Sequence, residues 1–307
     1  MKSLDAEGLQ NPLARTSAGN AVIVVFRSMR LIGHLLYGLL LACSFPLLGP
    51  GSRRALLNYW SRALLDILHV RLEIAGRIPA MHEPGALLVA NHVSWLDVFV
   101  INAASPSCFV AKSEVRSWPL IGILCRLTRT VFIERNYRRD TLRANRAIGD
   151  ALASGERVSL FPEGTSTDGS QVRHFHAALF QCAIDIGTCI QPVAIRYHDG
   201  SGIRSEDANY IGDMTLIESL LNIMRSRSLH ARLVFLPALH SAGQSRRALA
   251  DDAHGAIVAA LAGTNSRGKP ISAGEPEQYA PDHPELLGQS AYSLLLDPLI
   301  GRLKHRL

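Results

Sequence analysis

The chain has 307 residues, 48% apolar and 19% charged, with a formal net charge of +6. This composition excludes wholesale disorder and allows one large domain or two small ones. The positive balance, carried almost wholly by arginine, favours an anionic partner: a phosphate-bearing substrate, an acidic membrane surface or nucleic acid.

In chain order, residues 1–19 read as a polar, disordered lead. Two helices are expected at 20–46 and 52–69, parted by Pro50-Gly51. Leu31 to Leu48 is a mostly apolar stretch that would span roughly 27 Å as a helix, just short of a ~30 Å hydrocarbon core. His34 and Pro46 interrupt it, and Arg27, Arg30, Arg53 and Arg54 flank both ends, so charge assigns no orientation. The pattern predicts a membrane-associated helical hairpin that dips into one leaflet and returns, with a single membrane span as the alternative, and it does not fit a cleaved signal peptide. The second helix carries an apolar stripe, Leu56, Leu57, Trp60, Leu64, Ile67 and Leu68, suited to a core or to a membrane-facing side.

From residue 70 the pattern changes. Short apolar runs at 70–75, 85–91, 107–111, 130–134, 157–161, 190–197 and 231–237 alternate with helical patterns at 94–104, 117–127, 139–154, 174–187, 214–226 and 245–262. This predicts an α/β domain over 70–262, with a central mixed or largely parallel sheet flanked by helices. Residues 263–307 read as a Gly- and Pro-rich linker followed by a basic amphipathic tail with Arg302, Lys304 and Arg306. The five cysteines (Cys43, Cys108, Cys125, Cys182, Cys189) are irregularly spaced and include no C-x-x-C pair, so buried free thiols are expected.

Two polar motifs stand at the ends of apolar runs. Asn91-His92-Val93-Ser94-Trp95-Leu96-Asp97 follows the run ending at Ala90, and Phe161-Pro162-Glu163-Gly164-Thr165 follows Val158-Ser159-Leu160. They put a histidine, carboxylates and a glycine turn at strand exits, where an α/β sheet places its chemistry. Histidine takes a proton from a hydroxyl near neutral pH, and a carboxylate fixes its tautomer. Transfer or hydrolysis at an oxygen nucleophile is therefore expected. The bland reading makes Ser94 a helix N-cap with Asp97 closing a capping box, which is compatible with the chemical one. For the second motif the bland reading is a solvated turn shaped by Pro162 and Gly164.

These blocks resemble the glycerolipid and lysophospholipid acyltransferases, the 1-acylglycerol-3-phosphate acyltransferase family. Val131-Phe132-Ile133-Glu134-Arg135 and Ile190-Gln191-Pro192-Val193-Ala194-Ile195 fit the same order, and the resemblance covers roughly 70–240. It implies a membrane-associated O-acyltransferase moving a fatty acyl group from an acyl thioester to a lysolipid hydroxyl. No cofactor is implied, only acyl-CoA or acyl-acyl carrier protein as co-substrate, with membrane lipids as surroundings and the cytoplasmic face of a bacterial-type inner membrane as location. His92 would be general base and Asp97 its orienting carboxylate. Glu163, Gly164, Thr165 and Ser166 would line the acceptor site, with backbone N–H groups at Gly164 and Thr165 facing an anion or oxyanion. Arg135 would read a phosphate, and Lys112 would stand near the acceptor.

The family's usual F-P-E-G-T-R continues here as Ser166-Thr167-Asp168-Gly169, which removes a bidentate phosphate contact. That variant is similar to lyso-ornithine lipid acyltransferases, so two acceptors stay open: 1-acyl-sn-glycerol-3-phosphate, giving phosphatidic acid, and lyso-ornithine lipid. A hydrolase using Ser166 as nucleophile and a non-catalytic membrane-surface lipid binder are the rival classes. Arg138, Arg139, Arg143 and Arg146 cluster on one expected helix, facing solvent, lipid headgroups or an acidic carrier protein. Nucleic acid is not expected, because no aromatic platform accompanies the charge. His174 and His176 lack the carboxylate or thiol companions of a metal site, and no metal is expected.

Overall fold

The structure is a computed structural model that describes residues 18–78, 85–117, 121–133 and 138–263. Residues 1–17 of the lead and the basic tail read from the sequence lie outside these residues, while Ala18 and Gly19, expected in the lead, open the first helix.

Helix α1 (Ala18–Ser44) and helix α2 (Pro50–Leu68) form the N-terminal hairpin, and a short helical turn at Phe45–Leu47 holds Pro46 where α1 ends. His34 does not face outward. It is buried and stacks on Trp60 at 4.7 Å; its Nε2 lies 3.0 Å from the Trp60 carbonyl, and the Trp60 indole N–H donates to the His34 carbonyl. A polar residue that interrupts the apolar run in sequence thus joins the two helices. Arg27 likewise turns inward and donates to the Met224 carbonyl at 2.6 Å. The outer face keeps Phe26, Met29, Ile32, Leu36 and Leu40 exposed, and α1 is long and apolar enough to cross a membrane by length and composition.

The α/β region runs β1 (Val70–Gly76), β2 (Leu87–Ala90), α3 (Asp97–Asn102), β3 (Cys108–Lys112), α4 (Ile121–Leu127), β4 (Val131–Ile133), α5 (Arg138–Ala153), β5 (Val158–Leu160), α6 (Gln181–Ile186), β6 (Cys189–His198), α7 (Leu216–Arg225), β7 (Leu229–Phe235), β8 (Leu239–His240) and α8 (Arg246–Ala262). Seven of these strands coincide with the apolar runs. β8, two residues long, is too short to carry a pattern.

The strands form a mixed, mostly parallel sheet in the order β1-β7-β6-β2-β5-β3-β4, with β8 beside β6. Among the described strands, the β6–β7 and β6–β8 pairs are the antiparallel ones. β2 is buried on both faces. Leu88 and Ala90 join the cluster under α1, α2 and α3, while Leu87 and Val89 join the one formed with α5, α6 and α8. This is why its sequence reads as a continuous apolar run rather than an alternation. The N-terminal helices belong to the first cluster, through Leu31, Trp60, Leu64 and Leu68 packed with β1 and β7.

The connections set the site. β2 and β5 are neighbours, yet the chain leaving β2 goes to β3 on the far side of β5, and the chain leaving β5 goes to β6 on the far side of β2. Strand order reverses between them, which opens a crevice at their carboxyl ends. Both motifs lie at that point.

Of the cysteines, Cys108 and Cys182 are buried, and desolvation pushes their thiols up to about 11 and about 12. Cys43 is exposed on α1, against the expectation of burial, because it lies on the outer apolar face.

Candidate active site

The β2 exit loop is closed onto β6 by Asn91. Its side chain donates to the Ile195 carbonyl (2.9 Å) and accepts from the Ile195 N–H (2.7 Å), extending the ladder one step beyond the strand. This fixes the backbone from which His92 projects.

Asp97 is fully buried and accepts four hydrogen bonds. Oδ2 takes the N–H groups of Val93 (2.8 Å) and Ser94 (3.0 Å) and lies 2.8 Å from His92 Nδ1, while Oδ1 takes the Tyr197 hydroxyl at 2.7 Å. Donors thus meet both carboxylate oxygens, so the buried Asp97 side chain is left with no unpaired oxygen. Half of the expected capping box is present, since Asp97 reaches back to the Ser94 N–H. The other half is not: α3 begins at Asp97, and the Ser94 hydroxyl accepts from Leu96 N–H at 3.3 Å.

With Nδ1 donating to Asp97, the His92 lone pair sits on Nε2, which has no hydrogen-bond partner among the described residues. The ring stacks on Phe161 at 4.1 Å and 11°, and its side chain is 21% exposed. The imidazole is therefore clamped on one edge and one face and open at Nε2. That arrangement suits a general base.

Glu163 stands differently from the expectation that it lines the acceptor site. It is buried, with Oε1 accepting the His92 N–H at 2.7 Å and Oε2 the Arg173 N–H at 2.8 Å. Burial raises its pKa, and the two N–H bonds work against that rise. The carboxylate thereby braces the loop after β5 on itself and against the loop after β2, at the backbone of His92. Gly164, at φ +78°, closes the turn by donating its N–H to the Phe161 carbonyl at 3.1 Å. Only glycine adopts that φ at no steric cost. Its N–H is used inside the turn, contrary to the expected anion contact. Thr165 is exposed, and nothing among the described residues accepts its N–H.

The Ser166 hydroxyl donates to the Tyr210 carbonyl, and Tyr210 N–H donates to the Val93 carbonyl at 3.2 Å. The Thr167 N–H donates to the His92 carbonyl at 2.8 Å. Ser166 thus ties the second motif to the loop after β6. Its hydroxyl is bound to that loop's backbone rather than to His92, which removes the hydrolase arrangement.

Arg135 lies outside the described residues. Lys112 closes β3, and its side chain is likewise outside them. On α5, Arg143 and Arg146 are exposed, and Arg143 meets the largely buried Asp140 only at 3.9 Å. His174 and His176 lie edge to face, 6.5 Å between centroids.

Tyr197 went unmarked in the sequence, and Asn91 was named only as the first residue of its motif, with no role read for it. Tyr197 shares a sheet face with Val193 and Ile195 by strand alternation, and β6 is the neighbour of β2, so the period-2 pattern held the signal. The pairing of β6 with β2 is what turns that alternation into a contact.

Residues 69–196 match the family model described as Acyltransferase. The chain is 40% identical over 214 residues to a 1-acyl-sn-glycerol-3-phosphate acyltransferase of Neisseria meningitidis, covering 69% of this chain and 83% of that one. It is 36% identical over 248 residues to a lyso-ornithine lipid O-acyltransferase of Pseudomonas aeruginosa, covering 78% and 94%. The fold is similar to the crystal structure of the 1-acyl-sn-glycerophosphate acyltransferase of Thermotoga maritima, with a TM-score of 0.56 at 19% identity, covering 77% of this chain and 93% of that one.

Proposed function

Since this chain belongs to the acyltransferase family, we propose that it moves a fatty acyl group from an acyl thioester to the free hydroxyl of 1-acyl-sn-glycerol-3-phosphate. The observation that carries the reading is the His92 imidazole held by Asp97 with Nε2 open at the strand-order reversal. The acceptor hydroxyl gives its proton to Nε2 as its oxygen attacks the thioester carbonyl. The tetrahedral adduct then expels the thiolate, which takes the proton from the imidazolium and leaves as free thiol. Asp97 stabilises the transient imidazolium. No acyl-enzyme is needed, which agrees with a Ser166 hydroxyl engaged elsewhere. The Thr165 N–H, which has no acceptor among the described residues, is the donor we assign to the oxyanion. The thioester is acyl-CoA or acyl-acyl carrier protein.

A second acceptor, lyso-ornithine lipid, is favoured by one specific feature. Ser166 replaces the arginine of the family motif, and its side chain binds backbone rather than solvent. A panel with one labelled acyl thioester and both lysolipids separates the two. Faster turnover of the phosphate-bearing acceptor supports the first reading, and the reverse supports the second. Ser166→Arg sharpens the result by adding a charge-assisted fork that only the phosphate can use.

The enzyme works at the cytoplasmic face of a bacterial-type inner membrane, held by the exposed face of α1. Removing α1 would uncover Trp60, so substitution tests the anchor better than deletion. Ile32→Glu with Leu40→Glu puts charge on that face, at about 2.5–3.5 kcal/mol each if the site is at bilayer depth. The double variant is expected to leave vesicles in a flotation assay. Retention at high salt would place the anchor elsewhere.

A further inference from the structure

Glu73 on β1, His198 on β6 and His230 on β7 meet on the sheet face opposite Tyr197. Their ligand atoms all lie within 4.8 Å of one another. Glu73 Oε1 is 2.9 Å from His230 Nδ1, and Oε2 is 3.3 Å from His198 Nε2; the two rings stack at 4.9 Å. The histidine side chains are 10% and 12% exposed, while that of Glu73 is 41% exposed and gives the cluster its opening to solvent.

We propose that these three side chains form a binding site for a divalent transition metal of the zinc class, joining the edge strand β1 to β6 and β7. The donor set is two imidazoles and a carboxylate, which suits zinc, and three protein ligands leave a fourth position open. Ligands at ~2.0–2.1 Å from a tetrahedral ion are about 3.4 Å apart, within the spread seen here.

The outward ring nitrogens supply the stronger argument. His198 Nδ1 is 2.7 Å from the Asp199 carbonyl, which can only accept, so Nδ1 carries the proton. Nε2 then faces Glu73 Oε2 at 3.3 Å, and with Nδ1 as the ring's one N–H the two present converging lone pairs. Two acceptors aimed at each other at 3.3 Å are reconciled by a cation between them. His230 Nε2 faces the Ser228 hydroxyl at 3.2 Å. Each imidazole thus has an oxygen partner for its second nitrogen, the support that fixes orientation in metal-binding histidines.

Arg71 and Arg232, in register with His230 and Glu73 on the same face, work against a dication. The expected affinity is therefore below that of an all-thiolate structural site. His174 and His176 do not share these features, and they serve as the control.

The test uses the full-length, tag-free protein in detergent, titrated with Zn2+ against a chromophoric chelator, then with Co2+ for its visible absorption. One equivalent of Zn2+ and tetrahedral-type Co2+ bands are expected. Glu73→Gln, which keeps size and fold, should abolish both, as should His230→Asn. Ser228→Ala should weaken binding about tenfold. His174→Ala should leave the stoichiometry at one. Thermal unfolding should show a Zn2+-dependent rise in Tm for the wild type and none for Glu73→Gln. No bound equivalent in the wild type, or an equivalent that survives Glu73→Gln, overturns the site; in the first case a proton, not a metal ion, joins the two acceptors.

Discussion

Two histidine–carboxylate groups sit on opposite sides of one strand, and their difference shows what makes one of them a base. At Asp97 a single imidazole uses one nitrogen on a fully buried carboxylate and leaves Nε2 open. At Glu73 two imidazoles share a half-exposed carboxylate, and every ring nitrogen has a partner: Asp199 O, Ser228 Oγ or Glu73 itself. Both groups are built from imidazole and carboxylate. A base needs an unengaged lone pair beside a crevice, and a ligand cluster needs converging donors with their outer edges held. Tyr197 and His198 are adjacent in β6, and strand alternation sends one to each group.

The comparison is sharpened most by Asp97→Asn. The amide would point its NH2 at donors or lose the Nδ1 tautomer, so kcat is expected to fall on the order of 10²–10⁴-fold. His230→Asn on the other face should lower kcat far less, since neither of its nitrogens is open. Steady-state thiol release in both variants checks this, and similar losses would erase the distinction. Tyr197→Phe removes one of four donors to Asp97 and should cost about 1–1.5 kcal/mol, roughly five- to tenfold in kcat, with little change in KM. A change confined to KM would mean that Tyr197 meets substrate instead.

The smallest effect concerns Glu163. Its folded pKa is raised, chiefly by burial, so the folded state holds the Glu163 proton more tightly than the unfolded chain does. The stability it contributes is present below the unfolded value and is lost as pH rises through the folded one. The difference in Tm between wild type and Glu163→Gln should therefore shift against the wild type from pH 4 to pH 7. A shift in the other direction would show the N–H bonds of His92 and Arg173 outweighing burial.

Much of this was legible in the sequence, for physical reasons that also mark the boundary. β2 and β5 were visible because strands buried on both faces give near-continuous apolar runs, and β7 because its burial alternates residue by residue. His92 and Asp97 were visible because five residues of chain suffice to bring them together. The role of Glu163 was not, since it depends on the His92 backbone arriving from 71 residues earlier, and the Gly164 N–H could be read from the turn as facing either substrate or the Phe161 carbonyl. His34 read as a flaw in an apolar helix because its partner, Trp60, lies on the next one. The Glu73 cluster gave no signal at all. Its members are separated by 125 and 157 residues along the chain and meet only through the pairing of β1, β7 and β6.

The central claim is that His92 Nε2 accepts the acceptor hydroxyl's proton during transfer from a thioester. Its most direct test is thiol release from an acyl thioester, with and without lysolipid, by wild type and His92→Ala. Release by the wild type should depend on the lysolipid and yield one ester per thiol, and His92→Ala should reduce kcat by about 10²–10⁴-fold while the protein stays folded. Wild-type rates in the folded His92→Ala variant would contradict the account.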